Sequence, residues 1–218
     1  MNALPDLRHL VVFLSDDLDS TVSQAQRELG LVSGVRNTED LAEQGYHHEV
    51  LTIGRTFLEF TAPVSVDSEP AKLLADRGAA GLAVIVQVSD IEITKKRALD
   101  LGIRPEGEEL YQGHSLTQWS AQDFGIMTEL VEIRPQSSWF WAPDVFEHGS
   151  TDVVQDFVAI DLAVSDAERV AERWAQVLGL PLGSDRRVLD VSSRKIRFVE
   201  SAGPEGLLAV ELPATERT

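Results

Sequence analysis

The stretch RTFLEFTAP at residues 55–63 places one carboxylate, Glu59, in the middle of an apolar β-strand pattern. Side chains alternate across a strand, so Glu59 is expected to share a face with Phe57 and Thr61. Burying a carboxylate costs several kcal/mol unless a cation or hydrogen-bond donors compensate it. We therefore expect a cation or hydrogen-bond donors beside Glu59.

Two adjacent histidines, His47 and His48, lie in the preceding strand pattern YHHEVLTI at residues 46–53. Neighbouring residues of a strand face opposite sides, so at most one of these rings joins the face of Glu59. The register counted back from Gly54 leaves both choices open. The ring on that face could act as a base or as a metal ligand.

The elements that position these residues belong to a pattern that the chain repeats three times. Residues 9–31, 83–103 and 159–180 each contain an apolar strand, a Ser-Asp step, an amphipathic helix and a Leu-Gly pair. Ser and Asp favour the start of a helix, and a following glycine suits its left-handed end. Short strand patterns follow each helix, so each repeat is predicted to be a βαβββ module.

This pattern predicts an α+β fold in which the first two modules pair into a curved mixed-sheet cup and a third module is appended. The predicted paired domain covers residues 1–135, with module one at about 5–65 and module two at about 80–135. A linker covers 136–152, and the third module covers 153–218. The linker sequence Trp139-Phe140-Trp141 is expected to pin the linker onto the body of the protein or to act as a lid.

Composition excludes several classes of function. Asp and Glu number 36 against 19 Lys and Arg, giving a net charge of −17 that disfavours binding to nucleic acid and to anionic membranes. The chain has no cysteine, no signal-peptide pattern and no apolar run of membrane-spanning length, so the cytoplasm is the expected location. The motifs of P-loop, dinucleotide-binding, α/β-hydrolase and zincin proteins are also absent, and no organic cofactor is expected.

The module pattern resembles the vicinal oxygen chelate superfamily, which includes glyoxalases, methylmalonyl-CoA epimerases, extradiol dioxygenases and bleomycin-resistance proteins. The resemblance is carried by TEDLAEQGYHHEVLTIGRTFLEFTAP, DSEPAKLLADRGAAGL and DFGIMTELVE within residues 7–133, and it is closest to epimerase-like and glyoxalase-like members.

The resemblance implies a divalent metal ion inside the cup, held by His9, Glu59 and Glu129. The position that corresponds to His9 in module two is Ala83, so the second histidine of the family pattern is missing. An oxygen-rich ligand set of this kind suits Mn, Co, Fe or Mg, and Zn less well. The alternative for His9 alone is a buried histidine without a metal. In module three, Glu211 is expected to correspond to Glu59 and Glu129.

The resemblance also implies roles for other residues. Glu43, in the Glu-Gln-Gly turn, and Glu129 are the candidate catalytic residues for removing a proton next to a carbonyl. His48, His114 and Trp119 are the candidate substrate-binding residues. The resemblance also implies that His114, Gln118 and Trp119 line the same side of one strand. Glu43 alone could also be a solvent-exposed charge in an acidic loop.

Two functions therefore remain open. The first is a metal-assisted lyase, isomerase or epimerase that acts on a small substrate. The second is a metal-free small-molecule binding protein of the bleomycin-resistance type, which the alanine at position 83 favours. An extradiol dioxygenase ranks third because that chemistry needs two histidines and a carboxylate on iron.

The odd number of modules predicts an oligomer. The concave sheet face of module three has no predicted partner within the chain, and an exposed apolar face of that size usually marks an interface. We expect a two-fold homodimer through this face. A monomer is the alternative if the aromatic linker covers the face.

Overall fold

The computed structural model describes residues 3–13, 17–32, 34–77 and 80–215. The predicted α+β class is confirmed. The elements are consistent with βαβββ modules, although module one has two strands, and not three, after its first helix. Seven strands form one mixed sheet and four strands form a second sheet. None of the helices in the described part of the chain is long and apolar enough to span a bilayer.

Module one and the segment after it contain, in chain order, strand β1 (Asp6–Phe13), helix α1 (Leu18–Leu29), helix α2 (Glu39–Glu43), strand β2 (Tyr46–Ile53), strand β3 (Thr56–Pro63) and helix α3 (Glu69–Arg77). An isolated bridge between Arg36 and Glu49 adds one further pairing to β2.

Modules two and three each have one strand, one helix and then three further strands. Module two contains β4 (Ala80–Gln87), α4 (Ile91–Asp100), β5 (Gly107–Tyr111), β6 (His114–Trp119), α5 (Ala121–Phe124) and β7 (Met127–Glu132). A 3-10 turn at Asp144–Phe146 lies in the linker. Module three contains β8 (Ala159–Val164), α6 (Ala167–Leu178), β9 (Val188–Val191), β10 (Arg194–Glu200) and β11 (Gly206–Glu211).

The predicted helix signals are found where the structure describes them. The carboxylates of Asp90 and Asp166 accept backbone N–H groups at the starts of α4 and α6, as the Ser-Asp steps predict. Asp17 caps α1, while Ser15 of the first Ser-Asp step lies outside the described residues. The glycines that end α1 and α6, Gly30 and Gly179, adopt the left-handed conformation.

Strand order separates module three from the other two. The larger sheet runs β2-β3-β1-β4-β7-β6-β5, and the smaller sheet runs β11-β8-β10-β9. In the larger sheet, the first strands of modules one and two, β1 and β4, lie side by side. In the smaller sheet, the equivalent side of β8 is paired with β11 of the same module. Module three closes this edge with its own last strand.

The chain divides into two compact units. Unit one consists of Met1–Arg8, Ala83–Trp139 and Phe157–Glu211, and unit two consists of His9–Leu82, Phe140–Asp156 and Leu212–Thr218. Modules two and three therefore share unit one, while module one and most of the linker share unit two. The domain boundaries at residues 135 and 153 stay a prediction.

The core of unit one is aromatic where modules two and three meet. The ring of Phe124 packs edge-on against both Trp119 and Trp174, with centroid distances of 6.0 and 5.3 Å. The Trp174 indole N–H also donates to the Phe124 carbonyl oxygen at 2.9 Å. Helix α6 thus joins the two modules by both packing and a buried hydrogen bond.

A buried ion pair fixes module three to the start of β1. The Arg194 guanidinium donates to the Asp6 carboxylate and, at 3.0 Å, to the Phe157 carbonyl oxygen. Both charged side chains are almost completely buried. Removing one partner would leave the other charge buried without this compensation.

We therefore expect Arg194→Met to lower the free energy of unfolding by about 3 kcal/mol. Urea denaturation followed by circular dichroism measures this change. The control is Arg186→Met, because Arg186 is an exposed arginine paired with Glu172 at 3.6 Å, and its loss should cost less than about 0.5 kcal/mol. Equal effects of the two substitutions would contradict the assignment of the Arg194 pair as a stabilising contact.

Candidate functional site

The sheet register of module one brings His9, His48 and Glu59 to one face. Glu59 pairs with Val11 of β1 and with Val50 of β2, and paired residues point to the same side. His9 and His48 each lie two residues from these partners and therefore share the face. His48 is thus the histidine on the side of Glu59, and His47 is exposed on the opposite side.

The opposite face of this sheet packs against α1. Its core consists of Leu18, Val22, Leu31, Leu51, Ile53, Phe60, Ala62 and Val154. This apolar face determines which side chains of β2 and β3 point away from the helix, because a shift of one residue would exchange the two faces. Because its neighbours Leu58 and Phe60 pack on the face that contacts α1, Glu59 lies on the opposite face of the sheet.

Glu59 bridges the two imidazole rings. His48 Nδ1 lies 2.8 Å from Glu59 Oε1, and His9 Nε2 lies 3.1 Å from Glu59 Oε2. Both histidines are completely buried, and only 4% of Glu59 is exposed. The groups expected beside the buried carboxylate are thus two histidine rings: His48 is within hydrogen-bonding distance and His9 within ion-pair distance.

The hydrogen bonds of His48 determine which of its nitrogens carries a proton. The backbone N–H of Thr38 points to His48 Nε2 at 3.1 Å, and the Thr38 hydroxyl lies 2.9 Å from the same nitrogen. A backbone N–H can only donate, so Nε2 accepts, and Nδ1 must be the protonated nitrogen that donates to Glu59. Thr38, which orients this ring, was not identified from the sequence.

The two histidines change the acidity of Glu59. Burial alone would raise the pKa of this carboxyl, but hydrogen bonds from His48 and His9 and their electrostatic attraction lower it to about 2. Glu59 is therefore ionised at neutral pH. A carboxylate with so low a pKa is a weak proton acceptor.

The cluster of His9, His48 and Glu59 does not form a ligand group for a metal ion. Within residues 3–13, 17–32, 34–77 and 80–215, no group of three or more His, Asp or Glu side chains is placed to hold a metal ion. The Nδ1 atom of His48 carries a proton and its Nε2 atom accepts from Thr38, so neither nitrogen offers a lone pair to a metal. The ligand set of His9, Glu59 and Glu129 stays a prediction, because His9 and Glu59 lie in unit two and Glu129 lies in unit one.

Module two carries the second predicted carboxylate, Glu129. This residue is half-buried on β7, and the Gln118 amide donates to Glu129 Oε1 at 3.0 Å across the β6–β7 pair. The register also places His114 and Ala83 on this face, and both are buried. His114 Nδ1 accepts the backbone N–H of Arg134 at 3.3 Å. Burial lowers the pKa of the His114 ring.

Trp119 lies on the other face of the same strand. It pairs with Thr128, one residue from the Gln118–Glu129 pair, and it therefore points to the opposite side. It is fully buried against Phe124 and donates to the Thr117 hydroxyl at 2.9 Å. The expectation that Trp119 shares a side with His114 and Gln118 is wrong, because Trp119 is a core residue of unit one.

The other predicted catalytic residue, Glu43, is exposed at the last position of α2. Its role stays a prediction.

Trp141, which the sequence assigned only to the linker, contacts the site of module one. Its ring centroid lies 5.4 Å from that of His48 and 6.4 Å from that of His9. The aromatic cluster at 139–141 was the only sequence signal for this contact.

The three modules place different residues at one equivalent position. In each module, the first strand pairs in parallel with a later strand: β1 with β3, β4 with β7 and β8 with β10. The register is equivalent in the three modules, and the matching residue pairs are Val11–Glu59, Ile85–Glu129 and Asp161–Arg197. Module three therefore has Arg197 where the other two have glutamate. The expectation that Glu211 is the third counterpart is wrong, because β11 pairs with the opposite edge of β8. Arg197 donates to Asp161 and, at 2.8 Å, to Glu211.

A family model described as a glyoxalase-like domain matches residues 7–178, which is more than three quarters of the 218-residue chain. The chain belongs to this glyoxalase-like family. The resemblance seen in the sequence is thereby confirmed. The match starts at the second residue of β1, covers the rest of modules one and two, and extends to the end of α6.

Solved structures with the same fold include methylmalonyl-CoA epimerases. The Mycobacterium tuberculosis enzyme is 24% identical, with a TM-score of 0.52 over 62% of this chain and 95% of its own. A variant of the Streptomyces coelicolor enzyme in complex with 2-nitronate-propionyl-CoA is 24% identical, with a TM-score of 0.53 over 63% of this chain and 100% of its own. A hypothetical protein from Bacillus halodurans C-125 is 19% identical, with a TM-score of 0.54 over 63% and 100%. No curated protein has a matching sequence.

The low pKa of Glu59 predicts a specific acid sensitivity of this glyoxalase-like protein. Because the folded-state pKa is about 2 and the ordinary value is 4.5, the contribution of Glu59 to stability is present above pH 4.5 and is lost as the pH falls toward 2. Glu59→Gln should therefore lower the free energy of unfolding at pH 7 and make it less dependent on pH in this range.

Urea unfolding at pH 7 and at pH 3 measures both effects. Glu28→Gln, at an exposed position on α1, is the control and should keep the acid sensitivity of the parent protein. If Glu59→Gln loses as much stability between these pH values as the parent does, the assignment of the low pKa to Glu59 is contradicted.

Proposed function

We propose that the protein is a lyase or isomerase, of the epimerase or glyoxalase kind, that transfers a proton next to a carbonyl group of a small substrate. Membership of the glyoxalase-like family supports this reaction class. The likeness to the epimerase structures supports the fold on which such sites occur. We assign the proton-transferring carboxylate to Glu129.

The observation that carries this assignment is the contrast between Glu129 and Glu59. Glu59 is buried, and each of its oxygens faces an imidazole nitrogen. Glu129 is half-buried, so a substrate can approach it, and Gln118 fixes its orientation with one amide N–H. A general base must lie within hydrogen-bond reach of the proton that it removes. Glu129 meets this requirement better than Glu59.

The surroundings of Glu129 suit a small substrate with an apolar part. Its sheet face carries buried apolar side chains, which are Ala83, Ile85, Leu116 and Val131. His114 lies on the same face, and the lowered pKa keeps its ring neutral at neutral pH. We propose that a neutral His114 contacts the substrate. The proposed second acid or base, Glu43, and the contact of His48 with substrate have no further support in the described residues.

A divalent ion was expected to polarise the substrate carbonyl. The described side chains do not form a ligand group for such an ion, so the proposed proton transfer is assigned to Glu129 alone. Metal analysis of the protein purified without an affinity tag tests the two versions. One equivalent of Mn, Co, Fe, Mg or Zn per chain would support a proton transfer that is assisted by a bound metal ion.

The homodimer and the cytoplasmic location stay predictions. The dimer was expected to form through an apolar face of module three, but that face carries the charged side chains of Asp161, Lys195, Arg197 and Glu211. Charged side chains are depleted from the centres of stable interfaces. A sedimentation coefficient that corresponds to a single chain of 24.0 kDa would exclude the dimer.

The second candidate function is binding of a small molecule without catalysis. The contacts of Glu59 with His48 and His9 favour it, because this cluster stabilises the fold without a substrate. The two candidates differ in one measurable property. Only the enzyme exchanges the proton next to the substrate carbonyl with solvent.

Proton exchange in D₂O therefore tests the proposed function. Small 2-substituted acyl thioesters and 2-hydroxy ketones are incubated with the protein, and loss of the α-proton signal is followed by NMR. Glu129→Gln should slow the exchange of an accepted substrate by about 10²- to 10⁴-fold, because an amide cannot accept the proton.

Glu109→Gln is the matched control, since Glu109 is an exposed carboxylate on the edge strand β5 of the same sheet face. Its exchange rate should equal that of the parent protein. Exchange that is equally fast in Glu129→Gln would remove Glu129 from the mechanism. Binding of these compounds without any exchange would favour the binding protein.

A further inference from the structure

The linker contacts the face of module one that carries His9, His48 and Glu59. The rings of Trp141 and Phe146 lie against this face, with Phe146 at 5.7 Å from Phe57 between ring centroids. The Thr52 hydroxyl, on the same face, donates to the Val145 carbonyl oxygen. An indole ring, a phenyl ring and a hydrogen-bond acceptor from the linker thus cover one continuous row of the sheet.

The end of this linker segment is fixed at the turn between β2 and β3. Asp156 Oδ1 accepts the backbone N–H groups of Arg55 at 2.7 Å and Thr56 at 3.1 Å, and also the Thr56 hydroxyl at 3.1 Å. Gly54 leaves the space for this carboxylate, because a Cβ atom there would lie 2.7 Å from Asp156 Oδ1. The segment is therefore held by a specific anchor as well as by its rings.

Trp141 adopts an unfavourable backbone conformation in order to make these contacts. Its φ angle is 57°, in the left-handed region that a bulky L-residue rarely adopts. Such strain persists only where the surrounding contacts compensate for it, and it is concentrated at ligand clamps and switch regions. The contacts of the indole with His9 and His48 supply that compensation.

We propose that residues 141–156 form an autoinhibitory strap: they occupy a latent binding site on the module-one sheet, and a ligand reaches His9, His48 and Glu59 only when the strap moves away. The chemistry of the strap defines the ligand that it replaces. That ligand is a planar aromatic molecule that stacks near the two imidazole rings, with a carbonyl oxygen or similar acceptor for the Thr52 hydroxyl. The proposal does not depend on the function assigned to Glu129.

The first test removes the indole and then supplies it in solution. Trp141→Gly deletes the ring and relieves the left-handed strain, since glycine adopts positive φ without cost. Free indole should bind this variant at least about tenfold more tightly than the parent protein, in which Trp141 occupies the place. Binding is measured by NMR, from the shifts that indole induces in the ring signals of His9 and His48.

A folded Trp141→Gly variant that binds indole no better than the parent would overturn the proposal.

The second test releases the anchor and remains valid if Trp141→Gly does not fold. Asp156→Ala should accelerate hydrogen exchange at the Arg55 and Thr56 amides, which lose their acceptor. It should also increase acrylamide quenching of tryptophan fluorescence about twofold, because Trp119, Trp139 and Trp174 are fully buried and Trp141 is the tryptophan that the strap carries.

Asp152→Asn is the matched control, because Asp152 is an exposed carboxylate in the same segment whose substitution removes no contact with Arg55 or Thr56. It should leave both the exchange and the quenching at the values of the parent. If Asp156→Ala also leaves both unchanged, residues 141–156 are not a releasable strap. Neither test measures activity, so their failure would be distinct from a failure of the function proposed for Glu129.

Discussion

The ionised carboxylate of Glu59, buried between two imidazole rings, is the constraint on which module one depends. Burial of a carboxylate is costly, so the fold must deliver donors to both oxygens. His48 donates to one oxygen because Thr38 fixes its tautomer, and His9 Nε2 lies 3.1 Å from the other oxygen, on the adjacent strand. A change of register by one residue in β1 or β2 would remove these donors and expose the apolar face that packs on α1. The cluster thus specifies the pairing of three strands as well as stabilising it.

The same strand position serves three different purposes in the three modules. In module one it carries a carboxylate held by histidines, in module two a half-buried carboxylate held by Gln118, and in module three Arg197 paired with Asp161 and Glu211. Of the two glutamates, only Glu129 is partly exposed. One repeated backbone pattern therefore carries a buried carboxylate, a half-buried carboxylate and a paired arginine at one equivalent position.

Much of the fold could be predicted from the sequence, because it rests on local signals. The strand and helix patterns, the Ser-Asp steps and the glycines that end helices repeat three times, and they locate the modules closely. The site was harder to predict because it depends on contacts that are distant in sequence. Nothing local indicates that Trp141 meets His9 and His48, that Thr38 orients His48, or that β11 pairs with the far edge of β8. Trp119 shows the same limit, since strand alternation alone places it opposite Gln118, whereas the family resemblance suggested otherwise.

The protonation of His48 tests the central feature of this account most directly. Because Thr38 donates to Nε2, the ring must carry its proton on Nδ1 and donate it to Glu59. Histidine-selective ¹H–¹⁵N NMR at neutral pH distinguishes the two tautomers and reports whether the ring proton is protected from solvent. We predict a slowly exchanging Nδ1–H signal for His48 that disappears in Glu59→Gln. An Nε2–H tautomer, or a ring proton in rapid exchange with water, would show that the buried His48–Glu59 bond does not exist in solution.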